Sequence, residues 1–148
     1  MSVMAQVESE LKAARLAREG ARRDALSLIL NALQEAQKEL QRPLSDEEEL
    51  QVLQRERKRR LEAAEAYRDG GRADQAAAEE REAELISAYM PEQVSDEELE
   101  ALVGDAVAES GATSPKDMGK VMSLVMPKVK GRADGGRVSA VVKEKLIP

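Results

Sequence analysis

The sequence lacks the side chains on which most enzymes depend. Its 148 residues include no histidine and no cysteine, which removes the commonest general base, the thiol nucleophile, disulfides and the usual soft metal ligands. A Ser–Lys arrangement or a pair of carboxylates would remain, but the carboxylates lie in helix-capping and mixed-charge segments typical of solvated surface. No glycine motif for phosphates or dinucleotides is present. We therefore expect no catalytic residue, metal ion or cofactor, and a protein that acts by binding.

Aromatic residues are almost absent as well. Tyr67 and Tyr89 are the only two, and the chain has no Phe or Trp. The strong helix formers Ala, Leu, Glu, Arg and Lys dominate, and no segment alternates apolar and polar residues long enough for a half-buried strand. The sequence predicts an all-α protein with an aliphatic core.

Long apolar runs are also missing. No segment approaches the length of a transmembrane helix, and the first residues do not combine a basic stretch with an apolar one, as a secretory signal would. We expect a cytoplasmic protein without a membrane partner.

Caps and helix breakers predict about four helices before residue 91. The first should run from about Ser2 to Arg18 with Gly20 as its stop, and Pro43 should end the second. The segment Ser45–Glu48 has the pattern of a capping box at the start of the third helix. The fourth should run from about Asp74 to Met90. Together these helices form the predicted N-terminal domain, residues 1–90.

Three further helices are predicted in a C-terminal domain, residues 91–148. Pro91 interrupts the chain, and Ser95–Glu98 then repeats the capping-box pattern. Ser114 should cap the next helix, with a proline at its first position, and Asp134 should begin the last one. Gly104 lies inside the first of the three helices, where glycine costs about 1 kcal/mol relative to alanine, so we expect close packing there.

The tetrapeptide Gly-Arg-Ala-Asp occurs twice, at residues 71–74 and 131–134. At both places we expect a glycine turn followed by an aspartate that caps the next helix. Four residues are too few to indicate a duplicated domain.

Charge is distributed unevenly along the chain, whose formal net charge is −6. Residues 91–112 hold seven acidic residues and no basic one, whereas residues 113–148 hold eight basic residues against three acidic ones. The overall charge argues against a nucleic-acid ligand, but the basic segment could contact phosphates.

A second basic segment, Arg55–Arg60, has five basic residues in six. It could contact phosphates, but glutamates at helical spacing, among them Glu56, favour a solvated and internally balanced helix.

The segment 128–137 is the most specific feature of the sequence. Glycines interrupt it, and Asp134 begins a helix whose backbone N–H groups suit a phosphate. The alternative is a connector between two helices whose lysines favour a helix C-terminus, and spacing alone does not decide between the two. The candidate nucleic-acid-binding residues are Lys116, Lys120, Lys128, Lys130, Arg132 and Arg137.

These residues also carry a resemblance to a known family. The runs 118–122 and 126–135 resemble the signature of the GatB/YqeY family, and the runs 71–74 and 89–95 match its middle part. The chain departs from the family pattern at Ser27 and Gln75. The motif positions that match in the last third include Gly119, Gly131, Ala133 and Asp134.

The resemblance implies an N-terminal helical unit followed by a three-helix unit similar to the tail domain of the B subunit of aspartyl/glutamyl-tRNA amidotransferase. In that enzyme the tail approaches the tRNA and the chemistry belongs to other domains. The leading hypothesis is therefore a non-enzymatic accessory protein that binds tRNA or another structured RNA. The alternatives are a helical protein-interaction module of the translation machinery, or an accessory to a carbon–nitrogen ligase with glutamine as amido-N-donor. A translation or amidotransferase protein is then the expected partner.

Overall fold

The computed structural model describes residues 2–147. Seven α-helices and two short 3₁₀ turns make up its regular structure in that range, with no strand, so the all-α prediction is confirmed. No helix within these residues is both long and apolar enough to cross a membrane. The chain divides into two compact units, an N-terminal unit of residues 1–90 and a C-terminal unit of residues 91–148.

The N-terminal unit contains four helices. They are α1 (Val3–Leu16), α2 (Gly20–Leu40), α3 (Asp46–Asp69) and α4 (Ala73–Ser87). α1 packs along α2 and α3 packs along α4, while fewer contacts join the two pairs. The shared core is aliphatic, as the composition predicts, and its buried residues are Val7, Leu11, Ala14, Leu26, Ile29, Leu33, Val52, Leu53, Ile86 and Met90.

Two helix ends in this unit differ from their prediction. Gly20 is the first residue of α2 and does not stop α1. The left-handed residue between the two helices is Arg18, with φ of 58°. α2 ends at Leu40, before Pro43 is reached, because Gln41 takes the left-handed conformation that closes a helix.

The capping box at the start of α3 is confirmed. The Ser45 hydroxyl accepts the Glu48 backbone N–H at 3.1 Å, and a Glu48 carboxylate oxygen accepts the Ser45 N–H at 2.9 Å. Arg42 donates to both oxygens of Glu48, at 2.7 and 2.9 Å. These hydrogen bonds, the arginine's foremost, lower the pKa of Glu48 to about 2.

Among the described residues of this unit, Glu49 is the buried charged one, with only 2% of its surface exposed. Its two carboxylate oxygens accept the backbone N–H groups of Val3 at 3.1 Å and Met4 at 2.8 Å. These N–H groups belong to the first turn of α1, where a helix provides no internal acceptors and the dipole favours an anion. A side chain of α3 therefore completes the N-terminus of α1, alongside the Ser2 hydroxyl, which accepts the Ala5 N–H.

The C-terminal unit contains three helices. α5 spans Asp96–Ser110, α6 spans Met118–Val125 and α7 spans Gly135–Leu146. The 3₁₀ turns Pro115–Asp117 and Met126–Lys128 flank α6, and each of the three helices packs against the other two. The core is rich in valine; its buried residues are Val94, Leu99, Val103, Ala106, Val121, Val125, Val129, Ala133, Val138, Val142 and Leu146.

The caps of this unit follow their prediction in part. Ser95 accepts the Glu98 N–H at 3.1 Å, and Asp134 accepts the Arg137 N–H at 3.0 Å. Ser114 instead precedes a 3₁₀ turn and forms no side-chain cap there.

The two Gly-Arg-Ala-Asp segments share only their glycine conformation. Gly71 and Gly131 both have φ of 75°. Asp134 caps α7, but Asp74 lies inside α4 and the N-cap position falls on Arg72, which makes no side-chain cap. The predicted glycine turn is therefore present at both places, but the predicted aspartate cap is wrong at residues 71–74.

The expectation of close packing at Gly104 is wrong. A Cβ added there would meet no atom within 4 Å. Because glycine in a helix costs backbone entropy, we predict that Gly104→Ala raises the unfolding free energy of the C-terminal unit by about 0.5–1 kcal/mol. The measurement is urea denaturation followed by circular dichroism.

Gly111 provides a matched control for this substitution. It also has open space around a Cβ, but its φ of 70° lies in the left-handed region. Gly111→Ala should therefore lower stability by about 1 kcal/mol, because a Cβ is strained in that conformation. Shifts in the same direction for both variants would contradict this account of Gly104.

Candidate functional site

The segment before α7 folds back onto the residues that lead into α5. The Val94 backbone N–H donates to the Arg132 carbonyl at 2.8 Å. The Gln93 side-chain amide donates to the Gly131 carbonyl at 3.1 Å, and the Arg132 Nε donates to the Glu92 carbonyl at 2.9 Å. We call these contacts between residues 92–98 and residues 131–137 the clasp.

Two ion pairs complete the clasp. Arg132 Nη2 lies 3.2 Å and 3.3 Å from the two carboxylate oxygens of Glu98. Arg137 Nη2 lies 2.8 Å from Asp96 Oδ1. Both acidic residues belong to the first turn of α5, so the basic segment is in direct contact with the acidic one.

The small motif residues shape the turn that carries these arginines. Gly131 is buried and left-handed, a conformation in which a side chain would be strained. Ala133 is also buried, at 2% exposure, and Asp134 accepts the backbone N–H of Arg137. The motif therefore builds the turn, and the arginines project from it.

The four candidate lysines lie on the segment around α6. Lys116, Lys120, Lys128 and Lys130 are all exposed, and the Lys120 side chain is 70% exposed at 3.8 Å from Asp117. The Thr113 backbone N–H, more than this lysine, holds the pKa of Asp117 below its usual value. Lys116 and Lys120 lie near the start of α6, whereas the clasp residues 131–137 follow its end.

Gly119 lies on the same segment, as the second residue of α6. It is exposed, and a Cβ there would meet nothing within 4 Å. Packing within the chain therefore does not require a glycine at this motif position.

The other basic segment, Arg55–Arg60, is tied to neighbouring side chains. Arg57 donates to the Ser87 hydroxyl at 2.8 Å, and Arg59 lies 3.2 Å from Glu56. Arg60 lies 3.5 and 3.6 Å from carboxylates of Glu79 and Glu82 on α4. Burial raises the pKa of Glu82 against the influence of Arg60. These ion pairs favour the balanced-helix interpretation.

The sequence predicts a capping box that includes Asp96 and Glu98, and it does not predict their ion pairs with the arginines. Glu98 does not complete that box, and its carboxylate accepts from Arg132 instead. A signal was present in the sequence, since a block of seven acidic residues directly precedes the basic one. Opposite charges on adjacent segments of one small unit are expected to meet.

A model of the YqeY family, described as Yqey-like protein, matches residues 4–146. The chain belongs to this family. The match spans both units. No curated protein matches the chain.

Proposed function

We propose that this YqeY family protein binds tRNA or another structured RNA through the exposed lysines around α6. The observation that carries the proposal is the contrast in that segment between buried valines and exposed lysines. Its valines Val121, Val125 and Val129 are fully buried, while its lysines are exposed. Residues 115–130 contain four lysines and one acidic residue. A local excess of positive charge of this kind suits a phosphate backbone.

The mode of binding follows from what this unit lacks. Both tyrosines precede residue 91, so no aromatic side chain of the C-terminal unit is available to stack on an unpaired base. Binding should therefore depend on shape and charge rather than on base identity. The resemblance of the unit to the tail domain of a tRNA amidotransferase subunit supports the same ligand class.

Removing two of these lysines should reduce the salt dependence of RNA binding. Each neutralised phosphate contributes about 0.7–0.9 to the slope of log affinity against log salt concentration. Lys120→Ala with Lys128→Ala should therefore flatten the slope by roughly one to two units, with helicity unchanged. The measurement is a titration with bulk tRNA at several salt concentrations.

A matched control removes two lysines elsewhere in the same unit. Lys143 and Lys145 lie in the last turn of α7, and their replacement by Ala changes the net charge equally. An equal loss of slope in this control would assign binding to the overall charge of the unit rather than to the exposed lysines around α6. No wild-type binding even at low salt would refute the proposal and favour the protein-interaction module.

A further inference from the structure

The arginines of the clasp are partly exposed, and each already forms an ion pair with a carboxylate. The side chains of Arg132 and Arg137 are each 32% exposed. Their acidic partners are more exposed, at 45% for Glu98 and 95% for Asp96. Asp96 in particular is held near Arg137 by little besides their mutual contact, so its carboxylate can leave without opening the core.

Exchange of these ion pairs for a phosphate is energetically accessible. An exposed ion pair changes an equilibrium by about fivefold at most. A phosphate offers a guanidinium the bidentate geometry that favours arginine over lysine. A carboxylate of the same chain carries the same single negative charge as a phosphodiester of RNA and also offers a guanidinium two oxygens, so the two groups compete for the same arginine.

The clasp does not depend on its ion pairs alone. The hydrogen bonds from Val94 N–H to the Arg132 carbonyl and from Gln93 to the Gly131 carbonyl join the same segments. Val94 itself is buried in the core of the unit. These contacts would keep Arg132 in place while its carboxylate partner is displaced, and the Asp134 cap holds the backbone of Arg137.

We propose that Asp96 and Glu98 act as internal competitors that occupy Arg132 and Arg137 and thereby weaken binding of RNA phosphates at the clasp. The inference rests on the proposed function and specifies how the same unit is regulated. RNA displaces the two carboxylates, and the arginines then add phosphate contacts to those of the α6 lysines. A displaced carboxylate recruits a counterion, which offsets the counterion that the phosphate releases.

Neutralising the two acids should therefore tighten binding. Asp96→Asn with Glu98→Gln should raise the affinity for bulk tRNA at low salt by about 3- to 10-fold. It should also steepen the salt slope by up to about 0.7–0.9 for each released arginine. Adding Arg137→Gln to this variant should remove the part of the gain that comes from Asp96.

The control is the pair Glu97→Gln and Glu100→Gln. Both residues lie on α5, and neither takes part in an ion pair within residues 2–147. This variant changes the net charge equally but frees no arginine, so its affinity should rise less than twofold. Equal gains in the two variants would mean general repulsion and would overturn the proposal, as would no gain from Asp96→Asn and Glu98→Gln.

Two further readouts keep the outcomes distinct. If the double variant loses helicity, the single variant Asp96→Asn still tests the proposal, because the Asp96 side chain is almost fully exposed. Loss of binding on replacing the α6 lysines, together with no effect of Asp96 and Glu98, would leave the proposed function standing and refute only the competition. Absence of binding in every variant would refute both.

Discussion

Glu49→Ala should lower the free energy of unfolding of the N-terminal unit by about 2–4 kcal/mol. The substitution leaves the N–H groups of Val3 and Met4 without their acceptor, and each unsatisfied buried donor costs about 1–3 kcal/mol. Removal of the desolvated carboxylate offsets part of this loss. The measurement is urea denaturation followed by tyrosine fluorescence, because both tyrosines lie in this unit.

Asp46 provides the control for Glu49. It is exposed in the same first turn of α3. Asp46→Ala therefore removes a charge that interacts with the helix dipole but removes no hydrogen-bond acceptor from α1. It should cost about 0.3–1 kcal/mol. Similar losses for the two variants would contradict the role of Glu49 at the N-terminus of α1.

Leu99→Ala should destabilise the C-terminal unit by about 2–5 kcal/mol and leave the tyrosine signal nearly unchanged. Leu99 is fully buried in the valine-rich core, and truncating a buried leucine loses its transfer free energy and leaves a cavity. A unit of 58 residues has little stability in reserve. The loss should appear in far-ultraviolet circular dichroism, which reports both units.

Leu26→Ala is the reciprocal variant. Leu26 is fully buried in the core of the N-terminal unit, so this variant should shift the tyrosine-detected transition. Leu99→Ala should therefore shift only the circular-dichroism transition, whereas Leu26→Ala should shift the tyrosine transition as well. If Leu99→Ala shifted the tyrosine transition as strongly as Leu26→Ala, the two units would not unfold separately.

Features governed by local chemistry could be predicted from the sequence. The Ser45–Glu48 box formed because its hydrogen bonds join residues three apart in the chain. The buried residues of a helix also recur at helical spacing, as Val7, Leu11 and Ala14 do on α1. Local patterns thus give the helix class and most of the core.

Features that depend on distant residues could not be predicted. Glu49 looked like one more acid in the first turn of α3, and only packing places the α1 N-terminus beside it. Glu98 matched the capping-box pattern in the sequence, but in the structure its carboxylate pairs with Arg132, 34 residues away. The candidate lysines could be identified from charge alone, whereas the ion pairs of both arginines could be identified only from the structure.

The clasp also has a consequence for the order of folding. Its contacts join residues 34 to 41 positions apart within a unit of 58 residues. Such long-range closures carry an entropic cost before their contacts contribute, which slows folding relative to a bundle held by local contacts. During synthesis from the N-terminus, α5 and α6 emerge before the residues that complete the clasp. Asp96 and Glu98 in the first turn of α5 therefore cannot form their ion pairs until about residue 137 has left the ribosome. The native arrangement of this unit consequently forms late.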